Sequence, residues 1–197
     1  MKEALPREFY IRDPKIVAIN LLGKILVRVL DSFYLSGMIV ETEAYYGEDD
    51  PASRARGGMK KYNMPMWGEP GRAFIYGVHG NWLLNIVAHE PNGVGAVLIR
   101  ALEPLEGIEV MAANRGTNNI RRLTNGPGRL TKALKIDRSM NYLDLTSRNS
   151  QLFITGGREI DPREIGWSHR IGVRVDLDEK LRFFIKGNEF VSREDSN

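Results

Sequence analysis

Glu41, Glu43 and Tyr45 recur at period two in the run Gly37-Met-Ile-Val-Glu-Thr-Glu-Ala-Tyr-Tyr-Gly47. In an extended chain that spacing points all three side chains to one face. The run is entered through the apolar Met38, Ile39 and Val40, so the face leads into the core or lines a pocket. A carboxylate there must be paired or do chemistry, because an unpaired buried charge is very costly. Arg100 is the complementary anomaly, a charge inside the nearly continuous apolar run Gly95 to Leu102. A buried arginine needs an anion, and either a carboxylate such as Glu43 or a ligand phosphate would serve. Glu43 is then a candidate for chemistry, with Tyr45 as an aromatic wall beside it. The rival reading is an ion pair with no chemistry.

The totals narrow the field. At 197 residues, one domain is the natural expectation. With 42% hydrophobic and 27% charged residues, the composition is that of a globular chain rather than a disordered one. The net charge of +3 permits an anionic partner without requiring one. The chain has no cysteine, so disulfides, thiolate metal sites and a cysteine nucleophile are excluded. Met1 to Glu8 has no apolar signal core, and no apolar run approaches the ~20 residues that span a bilayer. The expectation is a cytoplasmic protein without a membrane partner. No extended apolar seam is evident, which makes a monomer the expectation.

The elements that must position these residues follow from turn and cap signals. Asp13-Pro14 starts a short helix that Gly23 stops. Lys24 to Leu30 and Phe33 to Tyr45 form a hairpin around Asp31-Ser32. Gly47 to Gly71 is a long loop rich in Gly, Pro, Arg and Lys, and loops of that length inside a domain are usually functional. Arg72 to Tyr76 and Asn81 to Ala88 form a second hairpin through Gly77-Val78-His79-Gly80. Its tip is either a wedge between bases or a turn whose Val78 and Trp82 pack on the body. Gly95 to Leu102 is a central strand, and Glu103-Pro104 opens a helix running to about Asn114, with Leu105, Ile108 and Met111 on one face. The Gly126-Pro-Gly128 turn opens a helix from Leu130 to Leu134 and offers its backbone N–H groups to a phosphate. Short strands follow at 152–155, 170–175 and 181–185, with a helical turn at Asp161-Pro162. Arg121-Arg122 is either a solvated pair or a backbone contact.

Several long motifs, in one order over nearly the whole chain, resemble the alkyladenine (3-methyladenine) DNA glycosylase family. They are Met38-Ile-Val-Glu-Thr-Glu-Ala-Tyr45, Pro70-Gly71 leading to Tyr76, Leu98-Ile-Arg-Ala-Leu-Glu-Pro-Leu105 and Leu123-Thr-Asn-Gly-Pro-Gly-Arg-Leu130. Phe9-Tyr10, Leu21 to Val27, Arg170 to Val173 and Leu181 to Phe184 fit as well. The resemblance implies a single mixed α+β domain over 1–197, with a curved antiparallel sheet core, surrounding helices and a protruding hairpin. It implies a cofactor-free and metal-free glycosylase that binds double-stranded DNA and hydrolyses the N-glycosidic bond of alkylated purines. The target nucleotide would be flipped from the duplex.

Residue by residue, the resemblance makes Glu43 the catalytic carboxylate and Arg100 the group that keeps it ionised. Tyr45 and Tyr76 become the faces that stack the flipped base. The backbone carbonyl of Ile171 becomes a contact to the attacking water, and Asn85 lies on the pocket floor. His79 is the wedge, where the family usually has tyrosine, and Val78, Trp82, Met66 and Trp67 face the DNA. Arg54 stands where histidine is expected; it donates but cannot accept, and it either contacts the base or holds a phosphate. Arg54 therefore speaks against an ethenoadenine or hypoxanthine preference, and cationic methylpurines, which gain from the π faces of the two tyrosines, are the expected lesions. Glu41 is an ion-pair partner for a nearby Lys or Arg, and His89 and His169 are structural or exposed. Two other functions stay open: a damage-binding protein that has lost catalysis, and a hydrolase of free nucleosides.

Overall fold

The strand that carries Glu41 and Glu43 is shared by two halves of one sheet. The computed structural model describes residues 3–192. Its strands are β1 (Ile25–Leu30), β2 (Phe33–Tyr45), β3 (Ala73–Val78), β4 (Asn81–Val87), β5 (Ala96–Glu106), β6 (Leu152–Thr155), β7 (Ile165–Ser168) and β8 (Arg182–Ile185). Its helices are α1 (Pro14–Leu21), α2 (Ile108–Arg115) and α3 (Pro127–Ala133). The main path runs β3-β4-β5-β2-β1-β6, and β8 joins β7 to β2. Every ladder is antiparallel. The first half of β2 pairs with β1, from Phe33 to Met38. Its second half, from Glu41 to Glu43, pairs with β8 instead. The result is the mixed α+β fold with a curved sheet that the motifs implied.

Two irregularities in the β2–β5 ladder set up the site. Ile39 pairs with Leu102, Glu41 with Ala101 and Thr42 with Ile99. Val40 on β2 and Arg100 on β5 are therefore each left without a cross-strand partner. Bulges re-aim side chains and bend the strand, and here one of them turns Arg100 toward the acidic face of β2.

Helix α1 forms as its caps dictate. The Lys15 amide donates to Asp13 Oδ1 at 2.8 Å, Pro14 occupies the first turn, and Gly23 at φ +81° ends the segment. Pro14, Val17, Ala18 and Leu21 are buried at helical spacing. Thr42 Oγ1 donates to the Ala18 carbonyl at 2.9 Å, which docks the helix on β2 beside the two glutamates.

Two expectations from sequence are corrected. Glu103-Pro104 does not open a helix. Strand β5 runs to Glu106 with Pro104 opposite Gly37, at a register shift where a missing N–H is tolerated. Helix α2 starts only after Gly107, whose φ of +72° no side chain adopts easily. Residues 170–175 form no strand, and Gly172 at φ +75° turns the chain there. Strand β7, unforeseen, lies beside β8. No helix among the described residues is long and apolar enough to cross a membrane.

Candidate active site

Glu43 is fully buried, and each of its oxygens has a donor. The Ile171 amide donates to Oε1 and the Tyr45 hydroxyl to Oε2, both at 2.7 Å. Arg100 Nη1 lies 3.2 Å from Oε1. The bulge places Arg100 between the two glutamates, and its Nε donates to Glu41 Oε1 at 3.0 Å. Glu41, also fully buried, accepts from Arg182 Nε at 2.7 Å and from the Ser192 amide and hydroxyl at 2.7 and 2.9 Å. Thus the period-two spacing does bring Glu41, Glu43 and Tyr45 to one face, and Glu41 is the ion-pair partner expected of it.

Burial pushes the Glu43 carboxyl above the ordinary carboxylate range, against the downward pull of Arg100, the Ile171 amide and the Tyr45 hydroxyl. Burial also opposes the charge of Arg100, yet the attraction of Glu43 and Glu41 more than offsets it and raises Arg100. The two shifts differ because the partners are not matched. Arg100 has two carboxylates, whereas Glu43 shares one guanidinium with Glu41, which repels it. The carboxylate is therefore more basic than a surface glutamate, and Arg100 restrains that rise without reversing it.

Above this cluster lies a cleft of about 940 Å³. Tyr45, Tyr76, Arg54, Val78, His79, Arg100 and Ile171 all line it, with Leu83 and Leu98 as its apolar floor. Tyr76 packs against Phe74 with ring centroids 5.1 Å apart and the ring planes tilted by 36°. Both tyrosine hydroxyls are pushed up, chiefly by burial. Each ring carries an arginine on a face: the Arg170 guanidinium lies 4.6 Å from the Tyr45 centroid and that of Arg54 lies 4.7 Å from Tyr76. Arg54 is anchored through its carbonyl, which accepts from the buried Asn63 at 2.7 Å.

His79 caps the β3–β4 hairpin at φ +47°, followed by Gly80 at φ +75°, and it is exposed. Two successive positive φ values mark the tight turn that suits a hairpin. Trp82 is exposed beside it and Val78 half-buried.

Other expected contacts are placed differently. Met66 is only 1% exposed and packs with Ala55, Phe74, Val87 and Ala96, with Trp67 and Tyr76 against the same cluster. Met66 therefore has no surface to offer DNA; it supports the Tyr76 wall from behind. Asn85 is buried, and its amide donates to the Phe74 carbonyl at 3.2 Å, turned toward the sheet rather than the cleft. Both ring nitrogens of His89 meet backbone carbonyls, and Arg121 pairs with Glu189 at 2.6 Å on the surface. No group of three His, Asp or Glu side chains among the described residues is placed to hold a metal ion.

Arg170 was not foreseen. It is buried, forks onto Asp50 at 2.6 and 2.7 Å, donates to Asp176 at 2.8 Å and to the Ala44 carbonyl at 3.0 Å. Burial alone would raise Asp50, but Arg170 and backbone amides hold it below the ordinary range. One side chain thus ties the end of β2, the Asp50 loop and the segment that presents Ile171. Its signal in the sequence is that it opens the Arg170 to Val173 motif, immediately before Ile171.

A family model described as methylpurine-DNA glycosylase matches residues 8–189. The chain is 44% identical over 194 residues to a protein of Aeropyrum pernix, covering 98% of this chain and 95% of that one. It is 43% identical over 190 residues to one of Carboxydothermus hydrogenoformans (96% and 98% covered) and 45% identical over 181 residues to one of Mesorhizobium japonicum (91% and 86% covered). All three carry the name "Putative 3-methyladenine DNA glycosylase".

Proposed function

The chain belongs to the methylpurine-DNA glycosylase family, and from that premise we propose that it flips alkylated purine nucleotides out of duplex DNA and hydrolyses their N-glycosidic bond. The observation that carries this reading is the Glu43 cluster beneath the cleft. A buried carboxylate of raised basicity, held by Ile171, Tyr45 and Arg100, sits under two aromatic walls.

The flipped base stacks against Tyr45 and Tyr76 while His79 fills the space it leaves in the duplex. Glu43 takes a proton from a water as that water's oxygen adds to the sugar's anomeric carbon. The glycosidic electron pair leaves with the base. The transition state is oxocarbenium-like, and a nearby carboxylate stabilises the positive charge growing on the sugar. Arg100 and the Ile171 amide fix the carboxylate so that Oε1 and Oε2 do not rotate. Arg170 is a positioning residue, since it holds the Tyr45 ring and the segment bearing Ile171.

The test is base release from duplex DNA carrying methylated adenine, beside the same methylated adenine as a free nucleoside. The expected result is free base from the duplex only, with a rate that falls steeply as salt rises. Hydrolysis of the nucleoside, indifferent to salt, would make the protein a nucleoside hydrolase. Tight binding to damaged duplex without base release would make it a damage-binding protein.

A further inference from the structure

The β3–β4 hairpin has two working faces. Tyr76, Val78, Asn81 and Leu83 line the cleft already described, and the intervening Ile75, Gly77 and Trp82 line a second groove of about 460 Å³ on the opposite side. Tyr76 and Arg54 line both, so they form the partition between them.

The second groove has an unusual lining. Its charged residues are Arg54, Lys61 and Arg138, with no carboxylate. Lys61 and Arg138 are exposed, and neither is ion-paired to an acid among the described residues. Its aromatic rings face outward: Tyr62 is 52%, Tyr142 44% and Trp82 36% exposed. The Trp82 indole lies over Gly77, where a methyl group would come within 3.3 Å of it. Tyr142 is held at φ +70°, its amide donating to the Ala73 carbonyl at 2.8 Å. Non-glycine residues held in the left-handed region cluster at ligand-binding and other functional sites.

Unpaired cations beside open aromatic faces suit one ligand chemistry, an unstacked nucleobase with its phosphate. The rings stack the base, and the cations draw the backbone. A hairpin that enters a duplex separates its strands to either side. Resting on the glycosylase reading, we propose that this back groove receives the unpaired base of the complementary strand, opposite the flipped nucleotide. Each face of the blade then takes one member of the broken pair.

The test uses duplexes that need no catalysis. One carries a stable abasic analogue opposite an adenine; the other carries it opposite a second abasic analogue. The wild-type protein should bind the first about 5- to 150-fold more tightly, the range for stacking one base. The surface variant Tyr62→Ala should lose that preference and bind the second duplex as the wild type does, with thermal melting of the protein unchanged, and Trp82→Ala should lose the preference as well. Equal wild-type affinity for the two duplexes would overturn the proposal, as would variants that keep the preference or weaken both duplexes alike. Should the wild type fail to prefer either abasic duplex over an undamaged one, the glycosylase reading itself would be at fault, and that outcome is distinguishable from the others.

Discussion

Replacing Tyr45 by Phe removes one hydroxyl and leaves the ring, together with the Arg170 guanidinium that stacks on it at 4.6 Å. The hydroxyl donates to Glu43 Oε2 at 2.7 Å. A hydrogen bond to a charged group contributes about 1.5–3 kcal/mol, which corresponds to a roughly 10- to 150-fold change in proton affinity. The bond favours the ionised carboxylate, so its loss adds to the upward push of burial. If Glu43 is a base, activity falls as pH drops through its folded pKa. The acid limb of the pH–rate profile must then move to higher pH in Tyr45→Phe, and the rate must recover toward the wild-type plateau in alkali. Part of the effect is offset, because a neutral carboxyl also accepts from tyrosine; a shift near the tenfold end is expected. Single-turnover base release between about pH 5 and 10 reads the limb directly. A rate lowered by one factor at every pH, with the limb unmoved, would refute the reasoning and leave Tyr45 as a stacking face only.

Other variants separate the parts. Arg54 lies 4.7 Å from the Tyr76 centroid, so a base stacked on the other face of that ring sits about 8 Å from the charge. At an effective dielectric of ~20 this disfavours a cationic base by about 2 kcal/mol. Arg54→Gln should therefore raise release of cationic methylpurines relative to hypoxanthine by roughly tenfold after screening, and an unchanged ratio would remove Arg54 from lesion choice. Arg100→Met leaves Glu41 and Glu43 buried without their shared cation and should destabilise the fold by about 3–5 kcal/mol; denaturant unfolding checks this, and a loss under about 1 kcal/mol contradicts it. His79→Ala should leave stability within about 1 kcal/mol while weakening binding to abasic duplex DNA. A collapse in melting temperature with unchanged affinity would show that the tip packs inside.

Much of the site was legible because strand alternation is a hard geometric rule. Glu41, Glu43 and Tyr45 had to share a face once the run was a strand, and Arg100 in an apolar run had to find an anion. The helix at Asp13-Pro14 and the hairpin at His79-Gly80 were written in local backbone chemistry. What escaped was long-range. The bulge that sets Arg100 between two carboxylates depends on the register of β2 against β5, which neither segment encodes alone. Arg170 reaches Asp50, 120 residues away, and Ser192 closes on Glu41 from 151 residues away. Met66 resembled a surface residue because it lies in a glycine- and proline-rich loop; the small cluster behind Tyr76 buries it. Pro104 suggested a helix start, whereas Gly107 was the actual boundary.

The central claim is that the buried Glu43 activates the water that releases the base. Its most direct measurement is single-turnover release of methylated adenine from duplex DNA by wild-type protein and by Glu43→Gln, each shown to be folded and to bind abasic duplex equally. General base catalysis contributes about 10²- to 10⁴-fold, so the variant should be slower by at least a hundredfold while still binding. Release by Glu43→Gln within a few-fold of the wild-type rate would contradict the claim.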